Sequence, residues 1–242
     1  FDGGNLSSGL AFEQMGDGEE ILPMNIIIND LTFKNFADSA LAVYGGNITL
    51  NNVNFTDTDS PQAMLFHIAS ESKATLNNCN FYSNNVENMI SHTDSQLLTI
   101  NNTNFYNNNF SSIITSSQSS ILINNSIFYA NNVSGSAIVQ NRGQLTIENS
   151  KFNGLASKMG GIIAYKGDHF TIKKSEFLNS HADLNGGAII AKFFPIYDYD
   201  TGSFIISDEN LIEDCTFHNL SASNDGGAIY FDMDSGSSHI ST

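Results

Sequence analysis

The stretch Leu98-Thr99-Ile100-Asn101-Asn102-Thr103-Asn104-Phe105-Tyr106-Asn107-Asn108-Asn109 decides how this chain reads, because it recurs. Ile48 to Phe55 is ITLNNVNF, Ala74 to Phe81 is ATLNNCNF and Leu145 to Phe152 is LTIENSKF. With the Phe as the zero of each unit, the series is Phe33, Phe55, Phe81, Phe105, Phe128, Phe152, Phe177 and Phe217. The spacings are 22, 26, 24, 23, 24, 25 and 40, a period near 24 with one insertion. Self-similarity at such a period is the signature of a stacked-repeat architecture.

Each unit resolves into three short strands. Five positions before each Phe stands an aliphatic residue (Leu50, Leu76, Ile100, Ile123, Ile147), and seven before stands another in all but the last unit. Apolar residues two apart mark one face of a strand. Two polar residues follow, as in Asn77-Asn78 and Asn101-Asn102. Asn tolerates left-handed dihedrals and bonds its own backbone, so the pair is a corner. A small residue and the Phe make the second strand. A third follows at Leu41–Tyr44, Met64–His67, Met89–His92, Ile113–Ser116, Ala137–Gln140, Ile162–Tyr165, Ala188–Ala191 and Ala228–Phe231. Its second position is apolar in all eight and its neighbours mostly so, which leaves open which face points inward.

Three strands per unit, polar corners and no helical period predict an all-β, right-handed parallel β-helix (a solenoid) of about eight coils. The Phe series becomes a stack in the core, and the corner Asn residues become ladders along the axis. A single domain spans 1–242: residues 1–25 an incomplete N-terminal coil, 26–231 eight coils, and 232–242 a polar exit. Lys192 to Glu209 is an insertion loop. Leu10-Ala11-Phe12 reads as a third strand whose coil partners lie before Phe1. Uncapped solenoid ends are open sheet edges that template association, and a chain opening on Phe1 reads as a processed chain or part of a longer one.

Two motifs carry a resemblance. Paired Gly precedes the third strand at Gly160-Gly161-Ile162, Gly186-Gly187-Ala188 and Gly226-Gly227-Ala228. Phe followed three later by Asn stands at Phe81/Asn84, Phe105/Asn108 and Phe128/Asn131. From Ile26 to about Phe231 the chain resembles the tandem GGA(I/L/V) and FxxN repeats of chlamydial polymorphic outer-membrane proteins. More broadly it is similar to right-handed parallel β-helix domains of the pectin-lyase type. The resemblance implies surface display, adhesion or assembly.

Composition narrows the partners. Net charge is −16, from 9 basic against 25 acidic residues. That opposes nucleic acid and anionic lipid and permits cations, basic partners or neutral glycans. No apolar run is long enough for a transmembrane helix, and there is no signal-peptide pattern. Eight sequons, at Asn5, Asn47, Asn54, Asn101, Asn109, Asn124, Asn132 and Asn219, are candidate N-glycosylation sites, although an Asn-rich chain generates several by chance.

Candidate chemistry is sparse. Cys79 and Cys215 share a column five coils apart, about 24 Å at the inter-strand spacing, too far for a disulfide; both read as small buried thiols. His67 and His92 fall in one column of adjacent coils, a geometry for sharing a metal, with no third ligand evident. Of the Asp-x-Asp pairs, Asp198 and Asp200 in the insertion are the first Ca²⁺ candidates. The reading assigns no cofactor and no catalytic residue. Lys173-Lys174 with Glu148 and Glu176 reads as a surface ion-pair patch. Polysaccharide cleavage on such a rod needs clustered carboxylates on one outer groove, and adjacent coils do not stack them. The expectation is a non-catalytic structural or adhesive segment of an extracellular or cell-surface protein, associating with itself or with other surface proteins, end to end or into a filament. The alternative is a polysaccharide-binding or -cleaving β-helix enzyme.

Overall fold

A computed structural model of the protein describes residues 1–4, 8–14, 24–129, 131–157, 161–167, 169–193, 196–198, 203–205 and 210–233. These form three long sheets and one small hairpin. The first sheet has eight strands, from Met24–Asn29 and Gly46–Asn51 to Phe170–Lys173 and Leu211–Glu213. The second carries the Phe series, from Thr32–Lys34 to Thr216–Ala222. The third runs from Leu10–Glu13 and Leu41–Tyr44 to Ile189–Phe193 and Ile229–Met233. Within all three, each strand pairs in parallel with the equivalent strand one coil away, as at Leu98↔Ile121 and Phe105↔Phe128. This is the expected parallel β-solenoid.

The Phe column is a continuous stack. Phe33–Phe55, Phe55–Phe81 and Phe81–Phe105 have ring centroids 5.0, 4.6 and 4.8 Å apart. Phe105–Phe128, Phe128–Phe152, Phe152–Phe177 and Phe177–Phe217 continue it at 4.7, 4.5, 5.0 and 5.1 Å. All but the last ring are fully buried. Parallel pairing places identical residues in register, so each ring lands on its equivalent.

Aromatic packing also reaches back further than the repeat pattern showed, with Phe1 edge-on to Phe33 and stacked on Phe36. Phe1 accepts a bond from the Lys34 amide, Gly3 donates to the Lys34 carbonyl, and the Phe1 ring lies 5.9 Å from Phe33. Leu10–Glu13 pairs with Leu41–Tyr44 as expected, but part of its coil is Phe1 to Gly3 rather than anything before Phe1.

The third strand corrects the sequence alignment. One inward column is Leu41, Phe66, Ile90, Ile114, Ile138, Ile163, Ile189 and Ile229. The expected columns matched Ala42 and Leu65 to Ile90, off by one in the first two coils. The reason is loop length. From this column to the next Phe is 14 or 15 residues in the six coils before the insertion, whereas from Phe to the column is 8 at Phe33–Leu41 and 11 at Phe55–Phe66. The ladder between Asp59–Ala69 and Asn85–Thr93 shifts register there, with Ser60 opposite Val86 but Met64 opposite Asn88. Extra residues around Pro61 are absorbed before the strand settles.

The insertion is also shorter than expected. Lys192 and Phe193 belong to the third sheet, opposite Asp232 and Met233, and the Phe193 ring stacks on Phe170 at 5.7 Å. Beyond them Ile196–Asp198 and Ser203–Ile205 pair as an antiparallel hairpin. Asp232 and Met233, expected in the exit segment, lie in the last strand; 234–242 fall outside the described residues.

Candidate functional surface

The corner after the first strand is built as its composition requires. Its second residue adopts positive φ in every coil: Asp30, Asn52, Asn78, Asn102, Asn125, Asn149, Lys174 and Asp214, at 48–55°. Five of the eight are Asn, which bears this conformation at least cost. The next residue points inward and forms a hydroxyl ladder. The Thr103 amide donates to Ser126 Oγ (3.2 Å), Ser126 to Ser150 Oγ (3.2 Å) and Ser150 to Ser175 Oγ (3.1 Å). Each of these hydroxyls donates to the carbonyl two residues earlier, as Ser150 Oγ does to Glu148 at 2.8 Å.

Cys79 and Cys215 occupy this column. Their thiols make the same backward contact, Cys79 Sγ to the Asn77 carbonyl at 3.5 Å and Cys215 Sγ to the Glu213 carbonyl at 3.2 Å. Both are free. Cys79 is buried and burial pushes its thiol up to about 11; Cys215 is half-buried. Each stands in for a serine.

The Asn of the FxxN motif is buried and fully employed. Asn108 Nδ2 donates to the Phe81 carbonyl (2.8 Å) and to Asn131 Oδ1 (3.0 Å). Its Oδ1 accepts from the amide and the side chain of Asn84 (3.0 and 3.1 Å). Asn84 and Asn131 repeat the carbonyl bond, to Phe55 and Phe105 at 2.9 and 2.8 Å.

Outward rows repeat the device on the surface. Asn101 Nδ2 donates to Asn77 and Asn77 to Asn51, at 3.0 and 2.9 Å. Asn104 donates to Asn80 and Asn80 to Asn54, both at 3.0 Å. Asn132 donates to Asn109 and Asn109 to Asn85, at 2.9 and 2.7 Å. The described sequons are therefore rungs. Asn47, Asn54, Asn101, Asn109, Asn132 and Asn219 each donate to the preceding coil, and Asn124 accepts from Asn149. Asn109, Asn132 and Asn219 are exposed and the other four partly covered. Asn5 lies outside the described residues.

One surface feature was missed in the sequence reading. The residue after the column Phe is Tyr in three consecutive coils, and Tyr82, Tyr106 and Tyr129 form an outward stack. Centroids are 5.2 and 5.3 Å apart with planes within 10°. Burial and the flanking phenols push Tyr106 above its ordinary value. Tyr129 is 39% exposed and Ile127 on the same strand 40%. The repetition Asn-Phe-Tyr, Asn-Phe-Tyr, Ile-Phe-Tyr was the available signal.

The expected histidine column does not form. His67 is opposite Ser91, and His92 opposite Ile68. Because neighbouring positions on a strand face opposite ways, the two rings lie on opposite sides of the sheet. His67 faces outward, half-buried, 5.4 Å from the Tyr44 ring. His92 is fully buried, its Nδ1 3.3 Å from Ser116 Oγ and its Nε2 without a protein partner. Burial lowers its pKa to about 4.

The charged patch is real but paired differently from the expectation. Lys151 bridges to Glu176 at 2.7 Å and Lys173 to Glu213 at 3.4 Å. Near it, His181 Nδ1 lies 2.8 Å from Ser221 Oγ, and its Nε2 3.5 Å from Asp183 Oδ1. The order Ser-His-Asp is that of a nucleophile triad, but all three side chains are exposed. In water-like dielectric an imidazole activates a hydroxyl weakly, and these contacts are those of any polar surface row. Among the described residues no group of three or more His, Cys, Asp or Glu side chains is placed to hold a metal. Asp200 and the Asp198 side chain, the Ca²⁺ candidates, lie outside the described residues. No helix among the described residues is long and apolar enough to cross a membrane.

The comparisons with known proteins agree with this geometry. The family described as right handed beta helix region matches residues 21–177. The chain belongs to that family. No curated protein and no solved structure matches it.

Proposed function

We propose that this chain is a non-catalytic structural or adhesive β-helix segment of an extracellular or cell-surface protein. The observation that carries the reading is that outward side-chain rows run over several consecutive coils. Amides, and over three coils phenols, repeat at the strand spacing, so that part of the rod presents the same chemistry several times along one line. Repetition suits adhesion and assembly, where many weak contacts act together. It does not suit catalysis, which needs one constellation of unlike groups.

Electron microscopy and light scattering of the purified chain test the reading. End-to-end rods are expected; monodisperse monomers at high concentration overturn the filament part. Incubation with plant and bacterial polysaccharides should release no new reducing ends or unsaturated products, and release of either overturns the non-catalytic part.

A further inference from the structure

We propose that the outward face of the first sheet is an interface for a second copy of this chain, laid face to face and antiparallel. This rests on the reading of the rod as a structural module that assembles, and it names a lateral surface rather than an end.

The middle column of that face carries the argument. In register it runs Ile27, Thr49, Thr75, Thr99, Leu122, Thr146, Thr171 and Leu211. Strand alternation turns these side chains outward, because their neighbours Ile48, Leu50, Ile100 and Ile147 fill the core. The column holds no charge and no amide. All but the two leucines are β-branched and stiff at χ1, so ordering them in an interface costs little entropy. Ile27 is 67% exposed, Leu211 38%, and Leu97 in the adjoining column 36%. Three large apolar side chains therefore lie open on one face.

The order of the column selects the partner. A two-fold interface between identical chains needs a surface complementary to itself. Laid end for end on a second copy, the column sets Ile27 on Leu211, Thr49 on Thr171, Thr75 on Thr146 and Thr99 on Leu122. The apolar ends meet, and two pairs of threonines meet between them.

Charge fixes the direction. The charged residues of the face are Lys73, Glu148, Lys173 and Glu213. In the antiparallel pair they meet Gln144, Asn77, Asn51 and Asn29, amides that both donate and accept. A parallel pair would set Lys173 against His169 and crowd the charged ends of both rods together. These outer columns form the polar rim of the contact. Eight strands at about 4.8 Å and five residues at about 3.3 Å give a face of roughly 600 Å² a side. A total of about 1,200 Å² lies at the lower end of stable specific interfaces, so the pair is reversible.

The test is sedimentation equilibrium of the whole chain, produced without glycans because the sequons Asn101 and Asn124 lie on this face. A reversible dimer is expected. Thr49→Lys, an outward change that leaves the core untouched, should raise the dissociation constant at least about tenfold. Adding Thr171→Glu to the same chain should return it to within about threefold of wild type, since each new Lys then meets a Glu of the second copy. In a parallel pair Lys would meet Lys, and no rescue would follow. A monomer at every soluble concentration overturns the inference. So does an oligomer indifferent to Thr49→Lys, or a double variant no better than the single one. Should Thr49→Lys misfold, Thr75→Lys with Thr146→Glu asks the same question one coil further in. End-to-end rods that persist in Thr49→Lys would sink this face and leave the reading of the rod as an assembling module standing. Release of products from a polysaccharide would sink the non-catalytic reading without touching the dimer.

Discussion

The coils around Asn84, Asn108 and Asn131 and the coils from Leu155 onward solve one packing problem with different side chains. In the first region the position three after the core Phe is a buried Asn bonded above and below. In the second the equivalent positions are Leu155, Ser180 and Leu220, with Leu155 and Ser180 buried. The surface differs in parallel. Outward Asn rows in the first region give way to Glu148, Lys173 and Glu213 in one column and to Lys151 against Glu176 in another. An amide both donates and accepts, so it stacks on its own kind. A charge must alternate with its opposite. Hence one half reads as low-complexity Asn repeats and the other does not, although both are the same coil.

Loop length separates the regions too. Phe to third-strand column is 9 or 10 residues in the FxxN coils and 11 or 12 in the paired-Gly coils. The longer corner runs close to the backbone of the next coil. Gly186 sits at φ +65°, and a Cβ on Gly187 would collide with the Gly227 carbonyl. In these coils the glycines let the corner take a positive φ and pass close to the next coil's backbone, whereas the equally long Phe55–Phe66 corner is built without them.

The comparison can be broken at four points. The largest effect is expected where the regions are alike. Phe105→Asp puts a charge into the shared stack, at a cost above about 4 kcal/mol; circular dichroism should show no cooperative melting, and wild-type-like melting would contradict the inward Phe column.

Next is acid, which should act on the polar-cored region through His92. An unfolded imidazole protonates near 6.5, whereas the buried ring resists until about 4. Between those values the unfolded state binds the extra proton, so stability falls as pH drops and levels off below 4, by about 3 kcal/mol in all. The ring's register neighbours are Ile68 and Ser116, neither of which titrates. Urea melts at pH 7 and pH 4.5 should converge in His92→Gln relative to wild type; an unchanged pH slope would refute the assignment.

Third, Asn108→Leu gives an FxxN coil the residue used at Leu155. It strands the Phe81 carbonyl and the Asn84 amide, and should cost about 2–3 kcal/mol in urea unfolding. A neutral result would mean the two regions are interchangeable.

The smallest effect is expected from Lys151→Met, which removes a half-exposed ion pair; a change below about 1 kcal/mol, shrinking further with salt, is expected from the same measurement.

Much of the fold was legible because its signals are local. Asn102 at a corner, Ile100 and Leu98 two apart and Phe105 beyond them lie within eight residues, and the eight units repeat that spacing except at Asn210 in the last. The histidine column was misread because two extra residues near Pro61, upstream of His67, reset the register of its strand, so that His67 falls opposite Ser91 and His92 opposite Ile68. The tyrosine row was present in the sequence, but its exposure depends on what the neighbouring coils place beside it.

The sequence by itself determined the repeat, the left-handed Asn corners and the buried Phe column, since these follow from alternation and dihedral preference inside one coil. Only the tertiary structure decided which third-strand residues share a column, that Phe1 packs edge-on against the end of the stack, that the two cysteines replace hydroxyls in a ladder, and which rungs carry the sequons. Those are contacts between residues some twenty to forty positions apart, and their register is set by the lengths of the intervening loops, which no single coil encodes.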